Sequence, residues 1–275
     1  MTLDDRRPSR LAVLGDPLTF TLSPVLHQAG LASLGVPCES RPFRTPVEFL
    51  GERLTALAED GYRGASLTNP LKAAVIPYLA RVSEAAARAR SVNTVGFAAD
   101  GWWGETTDGP GFVDLLRTLG RDPARASVVM LGGGGVARSL ALALVSAGSS
   151  DVTASVREPD RVAPEWRALE PARVVGWRSE AERERIARAS VIVNATPLGG
   201  RDGPLELAHV PPRALVIDLV YRERPTEWVM RARSLGIEAY DGLGLLVFQA
   251  RIALALWATR PVAVEPLAAA VGWPR

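Results

Sequence analysis

Lys72 is the only lysine in a chain of 275 residues that carries 32 lysines and arginines in all. Arginine stays protonated at any working pH, whereas an amine in a partly desolvated site can release and regain a proton. Lys72 is therefore a candidate for proton transfer. Its bland alternative is a chance survivor of a bias toward arginine on an exposed turn. A second chemical feature is the run Gly132, Gly133, Gly134, Gly135, Val136 and Ala137, which fits G-x-G-x-x-A. Between a strand and a helix, such glycines allow a tight turn and close backbone approach, and the helix N-terminus attracts phosphate. A third is Arg157, at the end of the next strand. An acid there would suit a 2′-hydroxyl, while an arginine suits a 2′-phosphate and so NADP. Glu158 beside it is discordant, and an ordinary surface arginine is the alternative.

These residues need elements to hold them. Residues 10–14 form a short apolar strand closed by Gly15, Asp16 and Pro17. Ser23 and Pro24 open a helix, with proline well suited to its first turn, and Gly35 stops it. Residues 40–43 read as a second strand, a helix runs from Pro46 to Gly61, and residues 62–67 are a third strand. Pro70 and Leu71 begin the helix that carries Lys72. The lysine thus stands in a first helical turn at a strand's carboxyl end, where ligands collect in open α/β sheets. There follow a small helix over 83–90, a strand pair over 92–95 and 101–104, a loop over 106–111 and a helix over 112–119. The turn at 120–123 reads as a hinge into a second domain. Strands over 128–131, 151–156, 189–193, 215–220 and 237–240 then accompany helices over 138–147, 225–235 and 245–257, with a short surface helix within 261–275. Gln249 lies inside the apolar helix 245–257, so its amide is either a satisfied core group or faces a pocket.

Composition excludes several classes. The formal charge is only +2 and its signs are interspersed, so no basic patch for nucleic acid stands out. Cys38 is the sole cysteine, and His27 and His209 are the only histidines, which predicts no disulfide and no metal centre. The most apolar stretch, 243–257, is interrupted by Gln249 and Arg251 and is too short to span a membrane. The first residues lack the apolar core of a signal peptide. A cytoplasmic, soluble protein is expected, with Arg6 and Arg7 in a solvated tail.

Taken in order, the motifs resemble those of the shikimate dehydrogenase family over nearly the whole chain. Gly15, Thr21, Ser23, Pro24 and His27 are similar to its substrate loop, G-x-P-x-x-H-S-x-S-P-x-x-H. Gly64, Ser66, Thr68, Pro70 and Lys72 resemble G-x-N-V-T-x-P-x-K, whose lysine is catalytic in the family. Ser91, Val92, Asn93 and Thr94 match A-V-N-T, and Gly104, Thr106, Thr107, Asp108 and Gly111 resemble G-x-N-T-D-x-x-G, whose aspartate partners the lysine. Val156, Arg157 and Arg161 stand at the N-R-T-x-x-R clamp. The stretches 194–199, 218–221 and 241–249 complete the set. Phe20, Thr21, Ser66, Thr106 and Val156 depart from the pattern. Thr21 keeps a hydroxyl but adds a methyl group, Ser66 shortens a reach, and Val156 removes a polar contact to the adenine ribose.

The resemblance implies an α/β protein with a substrate domain, its sheet mainly parallel, and a Rossmann-like, doubly wound nucleotide domain, with the substrate in the cleft between them. Their expected extents are 1–109, completed by 241–275, and 110–240. It implies reversible reduction of 3-dehydroshikimate to shikimate with NADP, a step of aromatic amino acid biosynthesis, by a monomer or homodimer. Lys72 and Asp108 would be catalytic. Thr21, Ser23, Ser66, Thr68, Asn93, Thr107, Tyr221 and Gln249 would bind the substrate. Gly132, Gly133, Gly134, Gly135, Val136, Val156, Arg157, Arg161, Asn194, Thr196, Leu219 and Gly242 would bind the cofactor. On their own residue types, Asn93 reads as a turn amide and Tyr221 as a core phenol. A quinate or aminoshikimate dehydrogenase, a relative of broader range, and a nucleotide sensor without catalysis are the alternatives.

Overall fold

The computed structural model describes residues 9–198 and 203–275. Arg6, Arg7 and Gly199, the last residue of the motif begun at Asn194, lie outside them. The chain divides into two compact units, Met1–Gly111 with Leu246–Trp273, and Phe112–Leu245 with Pro274–Arg275.

The first unit is built on β1 (Ser9–Gly15), α1 (Ser23–Ala32), β2 (Cys38–Arg44), α2 (Leu50–Glu59), β3 (Tyr62–Leu67), α3 (Leu71–Ala74), β4 (Arg81–Val82), α4 (Glu84–Ala89), β5 (Thr94–Ala98) and β6 (Gly101–Glu105). Its strands lie in the order β2-β1-β3-β5-β6-β4. β2, β1 and β3 are parallel, β5 runs antiparallel to β3 and β6, and β4 is parallel to β6. Both faces of β1 are covered. Ala12 and Leu14 pack with Leu50, Leu54 and Leu57 of α2, and Leu11 packs on the other side with Leu26 and Leu31 of α1. A strand buried on two faces reads as an unbroken apolar run, as 11–14 does. Ser83 caps α4 through its Oγ, which accepts from Ala86 N at 3.1 Å.

The second unit continues through α5 (Asp108–Thr118), β7 (Ser127–Leu131), α6 (Gly135–Ser146), β8 (Asp151–Val156), α7 (Pro159–Trp166), β9 (Arg173–Gly176), α8 (Glu180–Arg188), β10 (Val191–Asn194), β11 (Leu215–Asp218), α9 (Glu227–Ser234) and β12 (Ala239–Tyr240). Its sheet is parallel throughout, in the order β12-β11-β10-β7-β8-β9. Chain order runs outward in both directions from the β7–β10 pair. That reversal makes the carboxyl ends of β7 and β10 the switch point at which doubly wound sheets bind ligands. α10 (Leu243–Ala258) and α11 (Glu265–Val271) follow. From α10, Val247, Leu254 and Trp257 join the α1 side of the first core.

Several boundaries differ from the sequence reading. The expected loop over 106–111 becomes helix from Asp108 onward. Asp and Pro belong in a first turn, where no intrahelical partner is needed for the N–H groups. The division between units falls at Gly111, inside α5, rather than at the turn over 120–123. α6 starts at Gly135, within the glycine run, rather than at Arg138. β5 starts at Thr94, leaving Val92 and Asn93 in the preceding segment. β4, α7, β9 and α8 were not anticipated. β4 has only two residues, and α7 contains Pro164, which disguises it. No described helix is long and apolar enough to cross a membrane.

Candidate active site

In the first unit, β3 ends at Leu67, and α3 begins four residues later. Leu67 N donates to Asn93 O at 2.8 Å, and Val92 N donates to Lys72 O at 2.8 Å. These two bonds hold the segments carrying Lys72 and Asn93 side by side. Lys72 Nζ donates to Asp108 Oδ2 at 2.6 Å, with the side chains 19% and 7% exposed. Such a pair is desolvated on the carboxylate side and open enough on the amine side to meet a ligand.

The second carboxylate oxygen is also engaged. Asn93 Nδ2 donates to Asp108 Oδ1 at 3.0 Å, and lies 2.9 Å from Thr107 Oγ1 and 3.2 Å from Gln249 Oε1. Asn93 Oδ1 accepts from Thr107 N at 2.6 Å. Gln249 Nε2 donates to Leu246 O at 2.9 Å. The amide inside the apolar helix α10 is thus a satisfied polar group that joins the Asp108 network. Gly111 lets α10 pass closely, because a Cβ there would meet Gln249 N at 2.7 Å. Lys72, Asn93, Thr107, Asp108 and Gln249 form one hydrogen-bonded cluster.

The other expected substrate residues are placed separately. Thr68 follows β3, and its N–H donates to Leu14 O at 2.9 Å. Thr21 Oγ1 accepts from Ser23 N at 3.2 Å, and Ser23 is buried. Ser66 Oγ lies 3.1 Å from His27 Nε2, and Ser40 Oγ lies 2.8 Å from His27 Nδ1. Burial lowers the His27 pKa to about 3, so the ring is neutral. Tyr221 is half-buried in the second unit, just beyond β11.

The glycine run forms the turn between β7 and α6. Gly132 has φ +112, and a Cβ there would meet Ala195 O at 3.0 Å, so a side chain is excluded twice over. At Gly134 a Cβ would meet nothing within 4 Å, and no side chain caps the N-terminus of α6. The first N–H groups of α6 are therefore left without a side-chain cap, which suits the phosphates of a dinucleotide. Gly133 packs on Val156, and its carbonyl accepts from Trp166 Nε1 at 3.2 Å and Arg138 Nη1 at 3.3 Å. Arg138 in turn pairs with Glu165 at 2.5 Å. Sequence reasoning missed Arg138, Glu165 and Trp166; the one available signal was an arginine in the first turn of an apolar helix.

Arg157 is exposed and has no ion pair among the described residues, while Arg161 pairs with Glu158 at 3.2 Å. Glu158, the discordant neighbour, is thereby turned to Arg161. Asn194 is fully buried, and its Nδ2 donates to Asp218 Oδ1 and Leu198 O, both at 2.8 Å. Its Oδ1 accepts from Thr196 N at 2.9 Å and Thr196 Oγ1 at 2.6 Å. Asn194 thus shapes the loop after β10, and Thr196 is the half-exposed member. Burial raises the Asp218 pKa above the usual carboxylate range, opposed by bonds from Thr226, Val220 and Asn194. Gly242 is buried against Leu219, whose carbonyl oxygen would lie 2.2 Å from a Cβ. Among the described residues no cluster of three His, Cys, Asp or Glu side chains is placed to hold a metal ion.

A parallel doubly wound sheet with an uncapped glycine turn at its switch point defines a Rossmann-type nucleotide-binding protein, here joined to an α/β unit bearing a lysine–aspartate pair. The family model of the shikimate dehydrogenase substrate binding domain matches residues 13–95. The NADP(+) shikimate dehydrogenase of Microcystis aeruginosa is 34% identical over 276 residues, covering 96% of each chain. The shikimate 5-dehydrogenase of Thermus thermophilus, solved with NADP(H) and shikimate, is 33% identical with a TM-score of 0.85, covering 96% of this chain and 98% of that one. Quinate dehydrogenase from Corynebacterium glutamicum, solved with NAD, is 28% identical with a TM-score of 0.83, covering 96% and 98%. The chain belongs to the shikimate dehydrogenase family.

Proposed function

We propose that this protein catalyses the reversible oxidation of shikimate to 3-dehydroshikimate with NADP. The observation that carries the reading is the 2.6 Å Lys72–Asp108 pair, embedded in a network that engages both carboxylate oxygens. NADP, when bound, would supply the hydride acceptor. The protein's part is to take the hydroxyl proton, and Lys72 with Asp108 does so as a coupled pair. Asn93 holds Asp108 Oδ1, so the carboxylate keeps its orientation when Lys72 changes protonation. Thr21, Ser23, Ser66, Thr68, Asn93, Thr107 and Gln249 of the first unit would supply hydrogen bonds for the carboxylate and ring hydroxyls. The residues 132–136 would hold the pyrophosphate, Arg157 and Arg161 the 2′-phosphate, and Val156, Asn194, Thr196, Leu219 and Gly242 the remaining walls. In this reading residues 1–109 with 241–275 serve the substrate and 110–240 the nucleotide, in a cytoplasmic monomer or homodimer that uses no nucleic acid.

The rival substrate is quinate, the substrate named for the Corynebacterium relative. Arg157, exposed and without an ion pair among the described residues, favours the phosphorylated cofactor, and with it shikimate. Initial rates with shikimate and quinate, each with NADP and NAD, test the reading. The shikimate–NADP pair should have the highest kcat/KM. No turnover of that pair would remove the proposal.

A further inference from the structure

The carboxyl edge of the second sheet holds another cation with no ion pair among the described residues. β8 and β9 end together, since Val156 pairs with Gly176, and Trp177 N donates to Val156 O at 2.8 Å. Arg157 therefore leaves β8 beside the point where Trp177 and Arg178 leave β9. Arg178 has φ +62, a left-handed backbone that a non-glycine residue keeps only where its surroundings impose it. The constraint is visible. Glu182 is 3% exposed, and its Oε2 accepts from Arg178 N at 2.5 Å while its Oε1 accepts from Ser155 Oγ at 2.5 Å. Arg183 Nη1 also donates to Arg178 O at 3.3 Å.

A buried carboxylate is thus spent on fixing the backbone of an exposed arginine. The side chain is steadied as well, with the Arg178 guanidinium carbon 4.9 Å from the centre of the Trp177 ring. Like Arg157, Arg178 has no acidic partner among the described residues. Among the described residues neither guanidinium has an ion pair, and an anion bound at these neighbouring strand ends would meet both charges. In doubly wound sheets the ribose of the nucleotide's adenosine half is recognised at the end of this second strand.

We propose that Arg178 is a second phosphate-binding arginine for the 2′-phosphate, acting with Arg157, and that Trp177, Glu182 and Ser155 position it. This rests on the reading that the second unit takes NADP. It gives the site back a polar contact where Val156 offers none.

The test uses calorimetric titration of the full chain with adenosine 2′,5′-bisphosphate and with 5′-AMP. Arg178→Asn is the informative variant, because asparagine tolerates the left-handed backbone and carries no charge. Its affinity for the bisphosphate should fall about 10-fold, as expected for one lost charge-assisted contact, with 5′-AMP binding unchanged. Trp177→Leu should produce a smaller loss of the same selectivity. If Arg157→Ala weakens bisphosphate binding and Arg178→Asn does not, the NADP reading stands and the role of Arg178 is refuted. Equal weakening of both nucleotides by Arg178→Asn refutes it too. A wild-type protein with no preference for the bisphosphate overturns the cofactor reading itself, and the role of Arg178 with it.

Discussion

His27 is held at both ring nitrogens by hydroxyl groups, with Ser66 Oγ 3.1 Å from Nε2 and Ser40 Oγ 2.8 Å from Nδ1. Trp257 packs edge-on against the ring at 5.2 Å, and the residue is fully buried. One nitrogen donates and the other accepts, so the neutral ring is satisfied and a proton would have no counter-charge among these neighbours. Ser66 is thereby tied to the core through the hydroxyl that replaces the family's asparagine.

Stability should therefore fall in acid through this histidine. The unfolded chain takes up a proton below its ordinary pKa of 6.5, whereas the folded chain resists until about pH 3. Stability from this group is whole above 6.5 and is lost as the pH falls toward 3. From pH 7 to pH 5 the loss should be roughly 2 kcal/mol. Urea unfolding at both pH values, compared with His27→Gln, measures it. The same pH dependence in both proteins would remove His27 as the cause.

Lys72→Arg should lower turnover by at least about 100-fold, the lower end of what general acid–base catalysis contributes. Arginine keeps the positive charge beside Asp108 but does not titrate, so charge and proton transfer are separated. NADP binding should survive. The sole lysine also permits a chemical check, because amine-directed reagents can label only Lys72 and the chain's N-terminus. Substrate should slow the inactivation. Full activity after complete labelling of Lys72 would exclude it from the mechanism.

Arg157→Ala should weaken NADP binding roughly 10- to 150-fold, the equivalent of about 1.5–3 kcal/mol for a charge-assisted contact. NAD binding should hardly change. Direct titration of both cofactors decides this, and a wild-type preference for NAD would refute the assignment.

Thr21→Ser should keep or raise shikimate turnover, acting mainly on the Michaelis constant. The hydroxyl that accepts from Ser23 N is retained while a methyl group is removed. Steady-state kinetics would contradict this if kcat collapsed with KM unchanged.

The readily legible parts of this protein are local. The strand before Gly132 and the helix after it, the proline and glycine boundaries, and the singular Lys72 all depend on neighbours in the chain. Backbone propensity and side-chain period act over a few residues, so they survive in one dimension. Two elements escaped for a related reason: β4 is too short to show a period, and α7 carries a helix-breaking residue. The identity of Asp108 as the partner of Lys72 came from family resemblance, since nothing local links two residues 36 positions apart.

What tertiary structure alone decided is where polar side chains spend their hydrogen bonds. Asn93 reads locally as a turn amide, yet it touches Gln249, 156 positions away, and holds Asp108. Gln249 stood undecided between core and pocket until those partners appeared. Asn194 spends its side chain on Leu198 and Thr196 close by and on Asp218, 24 positions away. Ser179 and Glu182 form a Ser-x-x-Glu helix-start signature, yet nothing local shows that Glu182 holds Arg178 N through one carboxylate oxygen and Ser155 through the other. A buried polar group must be paired, but its partner can come from any strand or helix that the fold brings near. Sequence therefore states the obligation, and only the packed sheets select the partner.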